Sequence, residues 1–190
     1  MKITIDGHEI EVEAGTTVLQ AARMIGGPSV PPVTKGSERD PRPMPKLQPS
    51  CVTAVQDGME VLSAKSTRAL EARKAVTEFL LINHPLDCPI CDQAGECNLQ
   101  DLAAENKNFS SRFKEQKVTF QHEDIGPYIQ LNKNRCIICY RCVKLAEQLT
   151  PKRVHGVLGR GDHAEISTCI SAAIDSEFSG NMIDVFPVGA

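Results

Sequence analysis

Four side chains able to bind soft metals fall close together: His84, Cys88, Cys91 and Cys97, in the run His-Pro-Leu-Asp-Cys-Pro-Ile-Cys-Asp-Gln-Ala-Gly-Glu-Cys. Thiolates and imidazole suit iron–sulfur clusters and zinc alike. The short spacers let one loop wrap a single centre. Gly95 permits a tight turn before Cys97. Pro85 and Pro89 stiffen the loop and lower the entropy lost when the ligands converge. On spacing alone, a [4Fe–4S] cluster and a structural zinc site of three cysteines and one histidine are equally good readings.

A second set is Cys136-Ile-Ile-Cys139-Tyr-Arg-Cys142. C-x2-C-x2-C is the core of bacterial ferredoxin ligation to a cubane cluster and is less usual for zinc. The fourth ligand of such a site comes from a distant Cys-Pro. Here the C-terminal run Phe186-Pro187-Val188-Gly189-Ala190 holds Phe at that place. Phe cannot ligate iron, so this site is expected to be incomplete, with an open or borrowed fourth position, or empty. Cys169 is the spare thiol downstream and otherwise reads as a small buried residue. Lys133, Arg135, Arg141 and Lys144 flank the site; they could offset the charge of an anionic cluster, or form a solvated basic face. Cys51 stands alone and reads as a small buried residue on a strand.

The chain has eight cysteines, and six of them sit in these two clusters. The N-terminal Met1-Lys2-Ile3-Thr4-Ile5-Asp6 lacks the basic start and apolar core of a signal peptide. Clustered thiols in a reducing compartment point to metal rather than disulfides. The expected location is cytoplasmic, or peripheral on the cytoplasmic face of a membrane. A net charge of −3 gives no nucleic-acid footprint, and no run of about 18 apolar residues provides a membrane span. Aromatic content is only 4 % with no Trp, so bound metal is expected to supply part of the stability.

The elements that must position these residues follow from local pattern. Ile3 and Ile5, then Ile10 and Val12, flank Asp6-Gly7, which predicts a hairpin. Thr16 or Thr17 caps a short helix carrying Val18, Ala21, Ala22 and Ile25, ended by Gly26-Gly27-Pro28. Residues 28–49 hold seven of the twelve prolines and read as an extended loop. Residues 51–64 read as strand–turn–strand around Asp57-Gly58. Ser66 to Ile82 reads as a helix with Ala69, Ala72, Val76, Phe79 and Leu80 on one face, stopped by Pro85. Residues 106–126 read as polar, with a short helix and a strand, and 156–161 as a turn-rich link.

At these residues the chain resembles the large iron–sulfur subunit of respiratory complex I, the NADH:quinone oxidoreductase. The motifs are EFLLINHPLDCPICDQAGECNLQD (Glu78 to Asp101), NRCIICYRCV (Asn134 to Val143), GRGDHAEIST (Gly159 to Thr168) and SEFSGNMIDVFPVGA (Ser176 to Ala190). The likeness covers the N-terminal, cluster-binding part of a family member. It implies that His84, Cys88, Cys91 and Cys97 hold a [4Fe–4S] cluster. It implies a second [4Fe–4S] site at Cys136, Cys139 and Cys142, with Phe186 in place of its fourth ligand. The family's [2Fe–2S] centre lies in a plant-ferredoxin-like N-terminal domain. Here Val30 to Gly36 runs through where its three-cysteine loop belongs, and Cys51 matches the remaining ligand. That centre is expected to be absent.

The resemblance implies an α+β chain in three parts. These are a degenerate ferredoxin-like β-grasp domain (1–65), a [4Fe–4S] domain ligated by one histidine and three cysteines (66–105), and a ferredoxin-type α/β region lacking its fourth cysteine (106–190). It implies an electron-transfer module that makes no bonds itself. Electrons would pass from the NADH- and flavin-binding subunit towards quinone, beside other subunits of the peripheral arm. A zinc-stabilised structural or docking protein, and a non-functional truncated paralogue, are the alternatives.

Overall fold

The computed structural model describes residues 1–26, 34–35, 46–63, 66–149, 155–168, 174 and 176–190. Cys169 and most of the proline-rich loop lie outside them. The chain packs as two units, Met1–Ala75 and Val76–Ala190, with both cysteine clusters in the second.

The first unit is built on a four-stranded sheet. Strands β1 (Lys2–Ile5) and β2 (His8–Glu11) form the expected hairpin, with Ile3 opposite Ile10. Asp6 and Gly7 both adopt positive φ, 50° and 93°, the twist a two-residue hairpin turn requires. The Asp6 carboxylate accepts hydrogen bonds from the Ser63 N–H (2.7 Å) and hydroxyl (2.6 Å), tying the turn to the segment that follows Val61 at the same end of the sheet. Helix α1 (Val18–Met24) begins at Thr17, whose hydroxyl and the Gln20 side chain satisfy each other's backbone N–H in a capping box. Strand β4 (Met59–Val61) runs parallel to β1, and the two-residue β3 (Thr34–Lys35) pairs at its outer edge, giving the order β2-β1-β4-β3. A parallel pair needs a crossover, and α1 lies on that connection. Val18, Ala21 and Ala22 of α1 bury in one core with Ile3, Ile5, Met59 and Val61. Each large apolar side chain so buried is worth about 1.5–3 kcal/mol.

Three expectations need correction in the two units. Residues 51–55 do not form a strand. Instead they hydrogen-bond the start of α1, Val18 N to Thr53 O and Val55 N to Thr16 O, because β1 already has β2 on one side and β4 on the other. Cys51 is exposed there, not buried. Helix α2 (Thr67–Leu81) forms as expected, with Ala69 buried and Leu80 packed against a core as expected, but with part of the expected face turned outward. Ala69 and Thr77 are buried, whereas Val76 and Phe79 are exposed. Residues 156–158 are not part of a turn-rich link. They belong to strand β7 (His155–Leu158), which pairs antiparallel with β8 (Glu165–Thr168). The turn between these strands needs Gly159, whose φ is +71° and whose missing Cβ would overlap the His163 carbonyl.

The rest of the second unit comprises α3 (Asn98–Glu105), the short pair β5 (Glu123–Asp124) and β6 (Gln130–Leu131), α4 (Arg141–Leu149) and a 3-10 turn over Ser179–Val185. Residues 106–122 form no helix; the polar segment lacks the apolar stripe that would seat one. Two small cores lie in this unit. One joins Ile125, Leu131, Val143, Ile166, Ile174 and Met182; the other is Cys97, Leu99 and Val188.

Candidate metal centre

The first set of predicted ligands converges on one cavity. It measures about 270 Å³, and His84, Cys88, Cys91 and Cys97 all line it. Local structure places each of them. Cys88 opens a 3-10 turn, Cys88–Ile90, with Pro89 at its start. Cys91 closes that turn, its N–H reaching the Cys88 carbonyl at 3.4 Å. Gly95 then turns back with φ +88°, and its N–H is held by Gln100 Oε1 at 3.0 Å. Cys97 is the N-cap of α3, and its sulfur lies 3.7 Å from the Pro187 carbonyl oxygen. Cys97 is buried, Cys91 half-buried and Cys88 exposed.

His84 follows α2 after one turn, its N–H bonded to the Leu81 carbonyl at 3.2 Å. Its Nδ1 is buried and has no hydrogen-bond partner. Burial pushes the imidazole pKa down; Lys117 lowers it further, Asp87 opposes and Arg135 lowers it again. This shift favours the neutral imidazole, the form that can ligate a metal. An orphaned buried nitrogen beside three thiols is the donor set of a soft metal site, so the residues present fit an iron–sulfur group.

Two cations border this cavity that sequence reasoning assigned elsewhere or passed over. Lys117 donates its ammonium to the His84 carbonyl. Arg135, expected beside the second site, pairs with Asp87 at 3.1 Å and lines the first cavity. The C-terminal segment was also unforeseen here. Val188 and Gly189 wall the cavity, and a Cβ at position 189 would overlap Cys91 Sγ. Gly189→Ala should therefore displace Cys91 and lower the iron retained per chain at least twofold. Iron retention equal to wild type would count against that role.

The second set is arranged differently. Cys136 is half-buried, Cys139 exposed and Cys142 buried in the first turn of α4. Ile138 and Tyr140, between the cysteines, take φ of 52° and 65°, a costly backbone for a β-branched residue. Asn134 anchors the approach, exchanging hydrogen bonds with the Phe120 backbone at 2.7 and 3.0 Å. The space bounded by the three thiols and Phe186 is only about 10 Å³. Burial pushes the Cys142 thiol up to about 11, and raises Cys136 as well. His155, unremarked in the sequence, lies buried with Nε2 at 3.4 Å from Cys142 Sγ. The signal was a lone His at the start of a strand, which carries nothing by itself.

The flanking cations are mostly occupied. Lys133 is bracketed by Glu123 at 2.6 Å and Glu165 at 2.8 Å, and Lys144 pairs with Glu147 at 2.9 Å. Among the described residues, no three His, Cys, Asp or Glu side chains converge on a position for one metal ion.

Residues 73–112 match the family described as the NADH-ubiquinone oxidoreductase-G iron-sulfur binding region. Residues 126–190 match the ferredoxin-like domain of NADH-quinone oxidoreductase subunit 3. Along its whole length the chain is 40 % identical, over 205 residues, to the NADH-quinone oxidoreductase G subunit of Rickettsia bellii. The chain is similar, along its whole length, to the large iron–sulfur subunits of complex I. A second relative, the mitochondrial 78 kDa subunit of NADH-ubiquinone oxidoreductase from Candida albicans, is 41 % identical over 203 residues. The chain spans under a third of these relatives, 29 % and 28 % of their lengths. A crystal structure of an NAD+-reducing [NiFe]-hydrogenase in the H2-reduced state superposes with a TM-score of 0.80 and 27 % identity, covering 100 % of this chain and 85 % of that one. The chain is thus an α+β iron–sulfur protein with a ferredoxin-like region, related to the N-terminal part of its longer relatives. Among the described residues no helix is long and apolar enough to cross a membrane.

Proposed function

We propose that residues 1–190 form an iron–sulfur electron-transfer module of an NADH:quinone oxidoreductase, centred on a [4Fe–4S] cluster held by His84, Cys88, Cys91 and Cys97. One observation carries this reading: all four donors line a single cavity of about 270 Å³. Bound there, the cluster would supply reversible one-electron transfer.

The protein's own groups account for the rest. The neutral His84 and three thiols hold the cluster. Lys117 and Arg135 offset its negative charge. Leu99 and Val188 exclude water on the buried side, while exposed Cys88 leaves a short path to a partner. The family implies that this partner is the NADH- and flavin-binding subunit, with the chain peripheral on the cytoplasmic face. The sheet of the first unit, a hairpin followed by α1 and a strand parallel to β1, supports reading it as a β-grasp remnant. With a lone exposed Cys51, we assign it no [2Fe–2S] centre.

Metal analysis and electron-paramagnetic-resonance spectra of the anaerobically purified chain test the proposal. About four irons per chain and a reducible cubane signal are expected; zinc without iron would overturn it. His84 also makes the cluster less anionic than four thiolates would. His84→Cys should therefore lower the midpoint potential, by the logic that separates Rieske from all-cysteine centres. An unchanged or higher potential in the variant would contradict this.

A further inference from the structure

The ferredoxin-like region brings Cys136, Cys139 and Cys142 together, yet the space they enclose does not suit the group such a loop would hold. At about 10 Å³ it admits one water-sized atom, against about 270 Å³ at the first site. Phe186 lines that space and packs with Cys136 and Cys142 in the core that contains Ile166 and Met182. Cys142, 4 % exposed, already meets a protein partner through its sulfur, His155 Nε2 at 3.4 Å. That is hydrogen-bonding distance for sulfur. It is also short for two ligands on separate irons of one cubane. The backbone is pinned around this packing: Asn132 N–H reaches the terminal Ala190 carbonyl at 2.6 Å, and Ala190 N–H reaches the Val188 carbonyl at 2.8 Å.

From this geometry we infer that residues 1–190 form a one-station carrier: Phe186 fills the second cluster position, and the Cys142–His155 contact replaces metal ligation there. The inference rests on the proposed function, and it changes what that function delivers. The chain takes up one electron at the His84–Cys97 site and releases that same electron from the same site. No internal relay to a second cluster follows. The three thiols of the second loop then serve as packing and turn residues, and the C-terminal segment has two tasks. Phe186 closes the second site, while Val188 and Gly189 wall the first.

Reductive titration of the anaerobically purified full chain, with iron and sulfide analysis, tests this. Wild type should hold about four irons and consume about one electron per chain. About eight irons, a three-iron signal or two electrons per chain would overturn the inference while leaving the proposed function intact. Zinc without iron would overturn the proposed function itself. Cys139→Ala, at an exposed position, should leave the iron content unchanged, and a fall would overturn the inference. Phe186→Cys removes the filling ring and supplies the absent thiolate. Reconstituted, it should gain up to twofold in iron and accept a second electron. A variant that folds but stays at the wild-type iron content would refute the role given to Phe186.

Discussion

Cys97→Ala should empty the first site and destabilise the Val76–Ala190 unit by more than about 4 kcal/mol, the range associated with a lost metal centre. Cys97 is one of the four proposed donors, so its loss would leave one iron without a protein ligand. It is also 7 % exposed and packs with Leu99 and Val188 in a core of few residues. A small core cannot replace what the cluster contributes. The checks are iron per chain and the thermal midpoint, each compared with Cys51→Ala. Cys51 is exposed, so that variant should match wild type in both. Full iron retention in Cys97→Ala would remove Cys97 from the ligand set.

Glu123→Gln should cost about 2 kcal/mol at pH 7, and the penalty should fade in acid. The Glu123 carboxylate receives the Lys133 ammonium, the Ser167 hydroxyl at 2.6 Å, and the Thr168 N–H and hydroxyl at 3.1 and 2.7 Å. Burial by itself would raise its pKa, but these hydrogen bonds together outweigh burial and bring it from 4.5 to about 2. Burial would lower the Lys133 pKa, but its hydrogen bonds to the Glu123 and Glu165 carboxylates raise it. A carboxylate depressed in the folded state stabilises fully above its unfolded pKa. That stability is lost as the pH falls from about 4.5 through about 2. At about 1.4 kcal/mol per pH unit, the shift bounds the effect near 3 kcal/mol. The side chain is 20 % exposed, and screening brings the expected value down to about 2 kcal/mol. Urea unfolding of both proteins from pH 7 towards pH 3 measures the difference. A gap that stays constant across that range would show that the charge is not the cause.

The ion-pair network matters to the site because of what it joins. Lys133 leads directly into the turn before Cys136, while Glu123 and Glu165 lie on β5 and β8. Three segments distant in sequence are thereby clamped at the base of the second loop. Neighbouring charges along the chain give no hint of this, since Lys133 reads locally as one of four cations around a cysteine run.

Features fixed by neighbours were readable from the residues themselves. Asp6-Gly7 takes two positive φ values because few other pairs tolerate them. Thr17 caps α1 because Gln20 stands three residues on. His84, Cys88, Cys91 and Cys97 meet because prolines and a glycine bend one short loop. Their gathering on one cavity, and the absence of a fourth thiol at Phe186, are legible in the sequence. Everything that depends on which face meets which was decided by tertiary packing. Helix α2 turns Thr77 inward, not Val76, because a helix with apolar residues on several sides can seat more than one of them. Residues 51–55 lose their strand because no free edge of β1 remains. His155 reaches Cys142 from a strand whose partner lies beyond a turn, and Gly189 approaches Cys91 from the far end of the chain. The first site is thus written locally and only enclosed by the fold. The second is written as an incomplete loop, and its closure comes from contacts that no local pattern encodes.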